Sequence, residues 1–321
     1  MPFSPPTGVL LVDKPGGITS HDVVARVRRA LHERRVGHAG TLDPMATGLL
    51  VVGVGPATKL LHYFVGLDKE YTATIRLGAS TTTDDAEGET VARADATAVA
   101  AIDDAGILAG IAALTGEISQ RPSSVSAIKV DGRRAYDLVR SGEAVELPSR
   151  AVTIAAFDVL GIRRSTGPDG APVIDVDVRV ECSSGTYIRA LARDLGDDLG
   201  VGGFLTVLRR ERVGPFSVRD ATVVESREKD APFDEAVAAR LLTPAEAAAM
   251  RYPTVPLGPA EARDLSDGKR IPVPSGDGGP FAAVTTDGRL VGIIEVTGGR
   301  ARVLMNLPVE QPASTAEEEA P

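Results

Sequence analysis

Between Ile174 and Cys182, apolar residues occupy every second position (Ile174, Val176, Val178, Val180, Cys182) and charged residues fill the gaps (Asp175, Asp177, Arg179, Glu181). Strict alternation of this kind suits a β-strand with one buried and one solvated face, and little else. Tyr71, Ala73, Ile75 and Leu77 repeat it against Glu70, Thr72, Thr74 and Arg76. Two half-buried strands need a covering layer. One candidate follows at once: Ser183-Ser184-Gly185-Thr186 supplies turn and cap chemistry, and Tyr187 to Leu199 places Ile188, Leu191, Ala192 and Leu195 at helical spacing. A strand therefore delivers Tyr187 and Arg189 to the start of a helix.

Elsewhere, Gly8 to Asp13 reads as a strand stopped by Lys14-Pro15-Gly16-Gly17, and Ser20 as the N-cap of a basic amphipathic helix running to about Arg34. Gly48 to Val54, Val152 to Ile162 and Arg212 to Val218 are further strand candidates; Ala96 to Leu114 and Phe233 to Met250 read as helices. The mixture predicts an α+β fold, a mixed and largely antiparallel sheet flanked by helices. Beyond Tyr252-Pro253 the texture changes to short strands and glycine-rich turns. The expected organisation is a catalytic domain over 1-250, a small β-rich domain over 251-308, and a disordered acidic tail over 309-321.

The chain has 321 residues, 43% apolar and 25% charged, and no apolar run approaches the roughly 18 to 20 residues that span a bilayer. Its start, Met-Pro-Phe-Ser-Pro-Pro-Thr, has neither the basic nor the apolar stretch of a secretory signal, so a soluble cytoplasmic protein is expected. The single cysteine, Cys182, excludes an internal disulfide, and the four histidines (His21, His32, His38, His62) form no metal-ligand pattern, so no metal is expected. The net charge is −9, of which Glu310, Glu317, Glu318 and Glu319 carry −4. Against that stand Arg26, Arg28, Arg29, Arg34 and Arg35, and Arg209, Arg210, Arg212 and Arg219. Such clusters suit a local positive surface or, equally, solvated helix faces with ion pairs.

Nucleotide loops are missing. Gly53-Val54-Gly55-Pro56-Ala57-Thr58 lacks the third glycine of a dinucleotide fingerprint, and Gly55 to Lys59 lacks the glycine-lysine end of a phosphate-binding loop, which disfavours NAD and ATP chemistry. The unusual segment is His38-Ala39-Gly40-Thr41-Leu42-Asp43-Pro44-Met45-Ala46-Thr47-Gly48, small and polar, with one carboxylate between two apolar runs. Such a loop lets backbone approach a ligand closely while presenting Asp43. On its own, Asp43 reads as well as a turn cap ahead of Pro44. Tyr71 alone reads as core, and His38 as an ordinary loop histidine.

Five segments resolve the choice by resemblance: KPGGITS from Lys14, GHAGTLDPMATGLL from Gly37, DKEYTATIRLG from Asp68, SAIKVDGRRAYDLVRSG from Ser126 and CSSGTYIRALARDLG from Cys182. Their order across residues 8 to about 215 resembles the motif set of the TruB family of tRNA pseudouridine synthases. The resemblance implies isomerisation of uridine to pseudouridine at position 55 of the tRNA T-loop, by base flipping and without a cofactor. It assigns Asp43 as the catalytic aspartate, Arg189 as its partner, Tyr71 as the stacking tyrosine and Tyr187 as a second tyrosine of the active site. His38 would help to wedge the nucleotide out, Gly40 and Thr41 would face substrate, Leu208 would wall the pocket, and Lys14 with Pro15 would support the aspartate loop.

Residues 118-146 resemble the family's RNA-clamping insertion, with Lys129, Arg133, Arg134 and Arg140 placed for phosphate contact. This chain departs from the usual pattern at Ser123, Val125 and Ala39. The C-terminal segment resembles a PUA-like RNA-binding domain that grips the acceptor stem. tRNA is the implied partner, with no membrane, no obligate protein partner and a monomeric state. One alternative is a tRNA-folding chaperone that retains the pocket without catalysis; a second, a synthase guided to a different RNA by protein partners, is disfavoured by the acidic overall charge and the absence of long basic tails. The chemistry agrees with the enzyme: moving a glycosidic bond from nitrogen to carbon involves no net redox change, and an ionised carboxylate can act as nucleophile or base.

Overall fold

The computed structural model describes residues 6-123, 129-130, 133-134, 148-167, 169-224, 226-228, 231-233 and 235-308. Its contacts divide the chain into two units, one of Met1–Leu42, Leu50–Val65 and Gly214–Pro321, the other of Asp43–Leu49 and Gly66–Val213. The boundary expected at 250/251 falls inside the first.

The second unit is built on the alternating strands. Lys69–Leu77 pairs antiparallel with Pro172–Cys182 on one side and with Gly203–Val213 on the other. Pro172–Cys182 then pairs with the long strand Arg150–Thr166, which pairs with Gly116–Gln120. At the far side Thr47 and Gly48 run parallel to Arg209 and Arg210. The register opposes Tyr71 to Val180, Ala73 to Val178 and Ile75 to Val176, so the apolar sets share one face. Helix Ile188–Asp198 contributes buried Ile188, Leu191, Ala192 and Leu195. Burying such aliphatic side chains contributes about 1.5 to 3 kcal/mol each. At Gly196 a Cβ would come within 2.1 Å of the Gly202 carbonyl carbon, so only glycine lets the helix backbone pack this closely.

Three expectations change in detail. The strand foreseen at Arg212 to Val218 is Gly203–Val213. Register shifts between Leu205 and Val207 and between Arg210 and Arg212 break the two-residue period, and Arg210 points inward, which hid the strand. The helix foreseen over Ala96 to Leu114 is two, Ala96–Ala101 and Asp104–Ala113, because Asp103 caps a fresh N-terminus with its carboxylate on the Gly106 amide. The helix foreseen near Phe233 to Met250 is a short 3-10 turn, Glu235–Arg240, followed by Pro244–Ala249, which restarts on a Thr243–Glu246 capping box.

In the first unit, Gly8–Lys14 pairs parallel with Thr222–Val223, and Val36–His38 pairs antiparallel with the end of Thr47–Val54. Helix Ser20–Leu31 closes a core of Leu10, Val12, Val23, Val27, Leu50 and Val52. Its N-cap is Thr19, in a capping box with Asp22; Ser20, expected in that role, is thereby left for another bond. The same unit carries a five-stranded sheet ordered Thr254–Leu257, Gly278–Thr285, Leu290–Thr297, Arg300–Asn306 and Ile271–Pro272. That sheet has its own core, including Val255, Leu257, Leu265, Val291 and Ile294, as the β-rich texture beyond residue 252 implied.

Candidate active site

Asp43 and Arg189 meet in the second unit. Arg189 Nε lies 3.0 Å from Asp43 Oδ2, and Nη2 donates to Oδ1 at 3.3 Å, so the guanidinium edge faces the carboxylate at two points. The Arg189 side chain is 6% exposed and that of Asp43 36%. The cation is buried and the anion is open. Helix Ile188–Asp198 positions Arg189 in its first turn, and the strand Pro172–Cys182 leads into it.

Burial of Arg189 demands further acceptors, and the loop after Ala79–Thr81 supplies them. Arg189 Nη1 donates to the Thr83 carbonyl at 2.9 Å and lies 3.4 Å from Asp85 Oδ2. Asp85, only 4% exposed, is itself oriented: its Oδ1 accepts from Thr83 Oγ1 at 2.5 Å and from the Glu87 amide at 3.0 Å. Two carboxylates thus share one guanidinium, the outer one accessible and the inner one held by its loop. Beside them Arg193 Nη1 lies 3.3 Å from Asp84 Oδ2 and Nη2 donates to the Arg121 carbonyl at 2.8 Å, while Ser123 Oγ also bonds Asp84.

Tyr71 is buried on the strand Lys69–Leu77, directly opposite Arg210 in the pairing register. Burial raises the pKa of its phenol above the ordinary value, opposed by the nearby Arg210 guanidinium, while Asp43 is close enough to add to the rise. The hydroxyl is therefore a proton donor at neutral pH. Arg210 is buried and donates from Nε to the Leu49 carbonyl at 2.7 Å. Gly48 makes that approach possible: its φ is +100°, and a Cβ there would lie 2.3 Å from the Arg210 carbonyl oxygen. Leu208 is buried, and its carbonyl accepts from Thr47 Oγ1 at 3.4 Å.

Tyr187 precedes the helix at φ −102°, ψ 106°, with no cap from its own side chain. Gln120 holds it instead: Gln120 Nε2 donates to the Tyr187 carbonyl at 3.0 Å, and the Tyr187 amide donates to Gln120 Oε1 at 2.8 Å.

The remaining expected residues belong to the first unit. Lys14, expected to support the aspartate loop, is fully buried and donates to the carbonyls of Pro15 at 2.9 Å and Ile18 at 2.8 Å, which braces the turn before Ser20. Ser20 Oγ in turn accepts from the Leu42 amide at 2.9 Å and donates to the Leu42 carbonyl at 3.1 Å, which fixes the residue preceding Asp43. His38 is half-buried, its ring edge-on to His21 at 5.6 Å; Gly40 has φ +92°, and Thr41 is exposed. Lys129 and Arg133 sit in a two-stranded hairpin, but their side chains, with Val125, Arg140 and most of the 118-146 segment, lie outside the described residues.

In the sequence nothing marks Asp85, Gln120 or Arg193 as site residues, and Arg210 stands out only as part of a basic cluster. The run Thr81-Thr82-Thr83-Asp84-Asp85 was the available signal for the first, since hydroxyl and carboxylate side chains so placed build self-bonded turns. Among the described residues no group of three His, Cys, Asp or Glu side chains is arranged to hold a metal ion.

The scaffold aligns over 95% of this chain with 84% of a chain in the crystal structure of a Cbf5-Nop10-Gar1 complex, at 25% identity and a TM-score of 0.64. A chain in the structure of an H/ACA RNP bound to a substrate RNA containing 2'-deoxyuridine shares the fold with the same TM-score at 23% identity, over 94% of this chain and 85% of that one. Residues 28–188 match the model described as "TruB family pseudouridylate synthase (N terminal domain)", residues 189–249 the "tRNA pseudouridylate synthase B C-terminal domain", and residues 252–308 "tRNA Pseudouridine synthase II, C terminal". Proteins named tRNA pseudouridine synthase B from Leifsonia xyli subsp. xyli and Thermobifida fusca are 54% and 56% identical, over 95% and 92% of this chain and 98% and 96% of their own lengths. The fold and the family match are those of a pseudouridylate synthase, an isomerase. Within that class, the chain belongs to the TruB family.

Proposed function

We propose that the protein isomerises uridine to pseudouridine at position 55 in the T-loop of tRNA, with Asp43 as the essential carboxylate. The observation that carries this reading is the pairing of an open Asp43 carboxylate with a buried Arg189 that grips it at two points. The C1′–N1 bond breaks, the base turns, a C1′–C5 bond forms, C5 loses a proton and N1 gains one. No electrons or groups enter from outside, so no cofactor is called for. An ionised carboxylate at C6, at C1′ or at a sugar proton needs both charge and direction, and the two-point guanidinium contact supplies direction.

The target base leaves its stack at a cost of a few kcal/mol. Tyr71, a buried phenol on the strand Lys69–Leu77, suits an aromatic platform worth about 1 to 3 kcal/mol. Leu208 contributes apolar wall and Tyr187 a further contact; for His38, Gly40 and Thr41, on the first unit, the motif set is what supports a role toward substrate. tRNA as substrate rests on the names of the relatives; the T-loop position rests on the motif set. Residues 251-308 serve in this reading as a PUA-like grip on the acceptor stem, and 118-146, with Lys129 and Arg133, as an RNA clamp. The protein works in the cytoplasm as a monomer without an obligate protein partner.

The test is incubation of purified protein with an unmodified tRNA transcript, followed by mapping of pseudouridine along the RNA. Product confined to the T-loop uridine is expected. Binding without product would move the assignment to an RNA-folding chaperone.

A further inference from the structure

We infer that Gln120 is a positioning residue for the reaction, acting through the backbone of Tyr187. This inference rests on the synthase reading above. Tyr187 is the last extended residue before helix Ile188–Asp198, a place where a chain is ordinarily tied either by a strand neighbour or by a capping side chain, and it has no cap of its own. The primary amide of Gln120 substitutes for a strand neighbour, receiving the Tyr187 N–H at 2.8 Å and giving an N–H to the Tyr187 carbonyl at 3.0 Å. That carbonyl also begins the helix, accepting from the Ala190 and Leu191 amides.

Only an amide can do both, and only in one orientation. Gln120 is 2% exposed, so either bond, if lost, leaves a polar group with little access to water. The side chain is the final residue of strand Gly116–Gln120, whose pairing to Arg150–Ile154 fixes its origin. Its bonds therefore reference Tyr187 and, two residues on, Arg189 to the sheet rather than to a turn. The strand's other end of influence is close by: Ser123 and the Arg121 carbonyl bond Asp84 and Arg193, so the residues just after Gln120 are tied to the loop that holds Asp85. The geometry gives Gln120 a role distinct from packing: a shift in Tyr187 rotates the helix start that aims Arg189 at Asp43.

The experiment compares the wild type with Gln120→Met, which preserves length without either bond, and Gln120→Glu, which keeps an acceptor for the Tyr187 amide but sets a carboxylate oxygen against the Tyr187 carbonyl. Single-turnover rates and transcript binding are measured across pH, with a melt on each variant. Displacement of about 1 Å at a reacting group can cost about 100-fold in rate. Gln120→Met should lose about 10- to 100-fold in turnover with a binding constant within about twofold of wild type. Gln120→Glu, relative to wild type at the same pH, should recover as pH falls and protonation returns the missing donor, a trend that Gln120→Met should not show. Equal loss of binding and turnover, or wild-type turnover in both variants, would overturn the inference. Absence of product from the wild type would instead overturn the functional reading, and the inference with it.

Discussion

The second unit uses arginine and aspartate in two ways a few strands apart. On the polar face of the sheet, Thr74 and Arg163 converge on Asp177, Arg76 pairs at two points with Asp175, and Arg179 meets Glu70, Asp158 and Glu181. There Arg163 is 56% exposed and Asp177 30%. At the site, Arg189 and Asp85 are almost wholly buried. Water screens Arg163, Arg179 and Asp177, so their pairs contribute at most about 1 kcal/mol each, whereas Asp175 lies nearly buried beneath Arg76. The second set has been taken out of water, where desolvation offsets much of the attraction and apolar residues would often stabilise as well. The same two residue types thus form an expendable ladder in one place, and in the other an arrangement whose cost makes sense only through what it does to Asp43.

The largest expected effect on this contrast comes from Asp43→Asn, which keeps volume and loses charge: turnover should fall to about a thousandth of wild type or below, with transcript binding retained. Residual turnover near wild type would remove Asp43 from the chemistry. Arg189→Lys keeps the charge but cannot reproduce the planar two-point contact, and single-turnover rates should drop about 100-fold; near-normal rates would show that charge alone suffices. Asp85→Ala leaves a buried guanidinium with one fewer acceptor, and denaturant titration should show a loss of about 3 to 5 kcal/mol.

Asp177→Asn, on the sheet's outer face, should cost under about 1 kcal/mol and leave turnover unchanged. The Arg163 guanidinium holds the Asp177 carboxyl below its ordinary value of 3.8, with the Thr74 hydroxyl helping against partial burial. A carboxyl depressed in the folded state stabilises above its unfolded value, and that contribution disappears as pH falls through the folded one. The stability curve of Asp177→Asn should therefore be shallower only below about pH 4. A difference at neutral pH larger than that at Asp85 would reverse the contrast drawn here.

Strands announced by a clean period, such as Pro172–Cys182 and Lys69–Leu77, were legible because one face of each meets water. Gly203–Val213 was not, since bulges interrupt its period and a buried arginine occupies an inward position. Asp43, Arg189, Tyr71 and Tyr187 were legible as parts of a motif set, whereas their supports were not. Gln120 lies 67 residues from Tyr187, and Asp85 reaches Arg189 across 104 positions; a polar residue in a strand or turn carries no mark of a distant partner. Ser20 was noticed for the wrong task, because Thr19 one residue earlier has the same capping chemistry and a better-placed acidic partner.

Gly48 gives the Asp43 segment the character of a lever. The backbone of residues 47-48 pairs with that of Arg209 and Arg210, and the carboxylate stands five residues away in a turn closed where Ala46 donates to the Asp43 carbonyl. Adding a single methyl at the fulcrum would push against the backbone of buried Arg210 and pry the strand outward. In a survey of every substitution across this segment, position 48 should be among the least tolerant, losing stability and leaving the carboxylate aimed beside the mark.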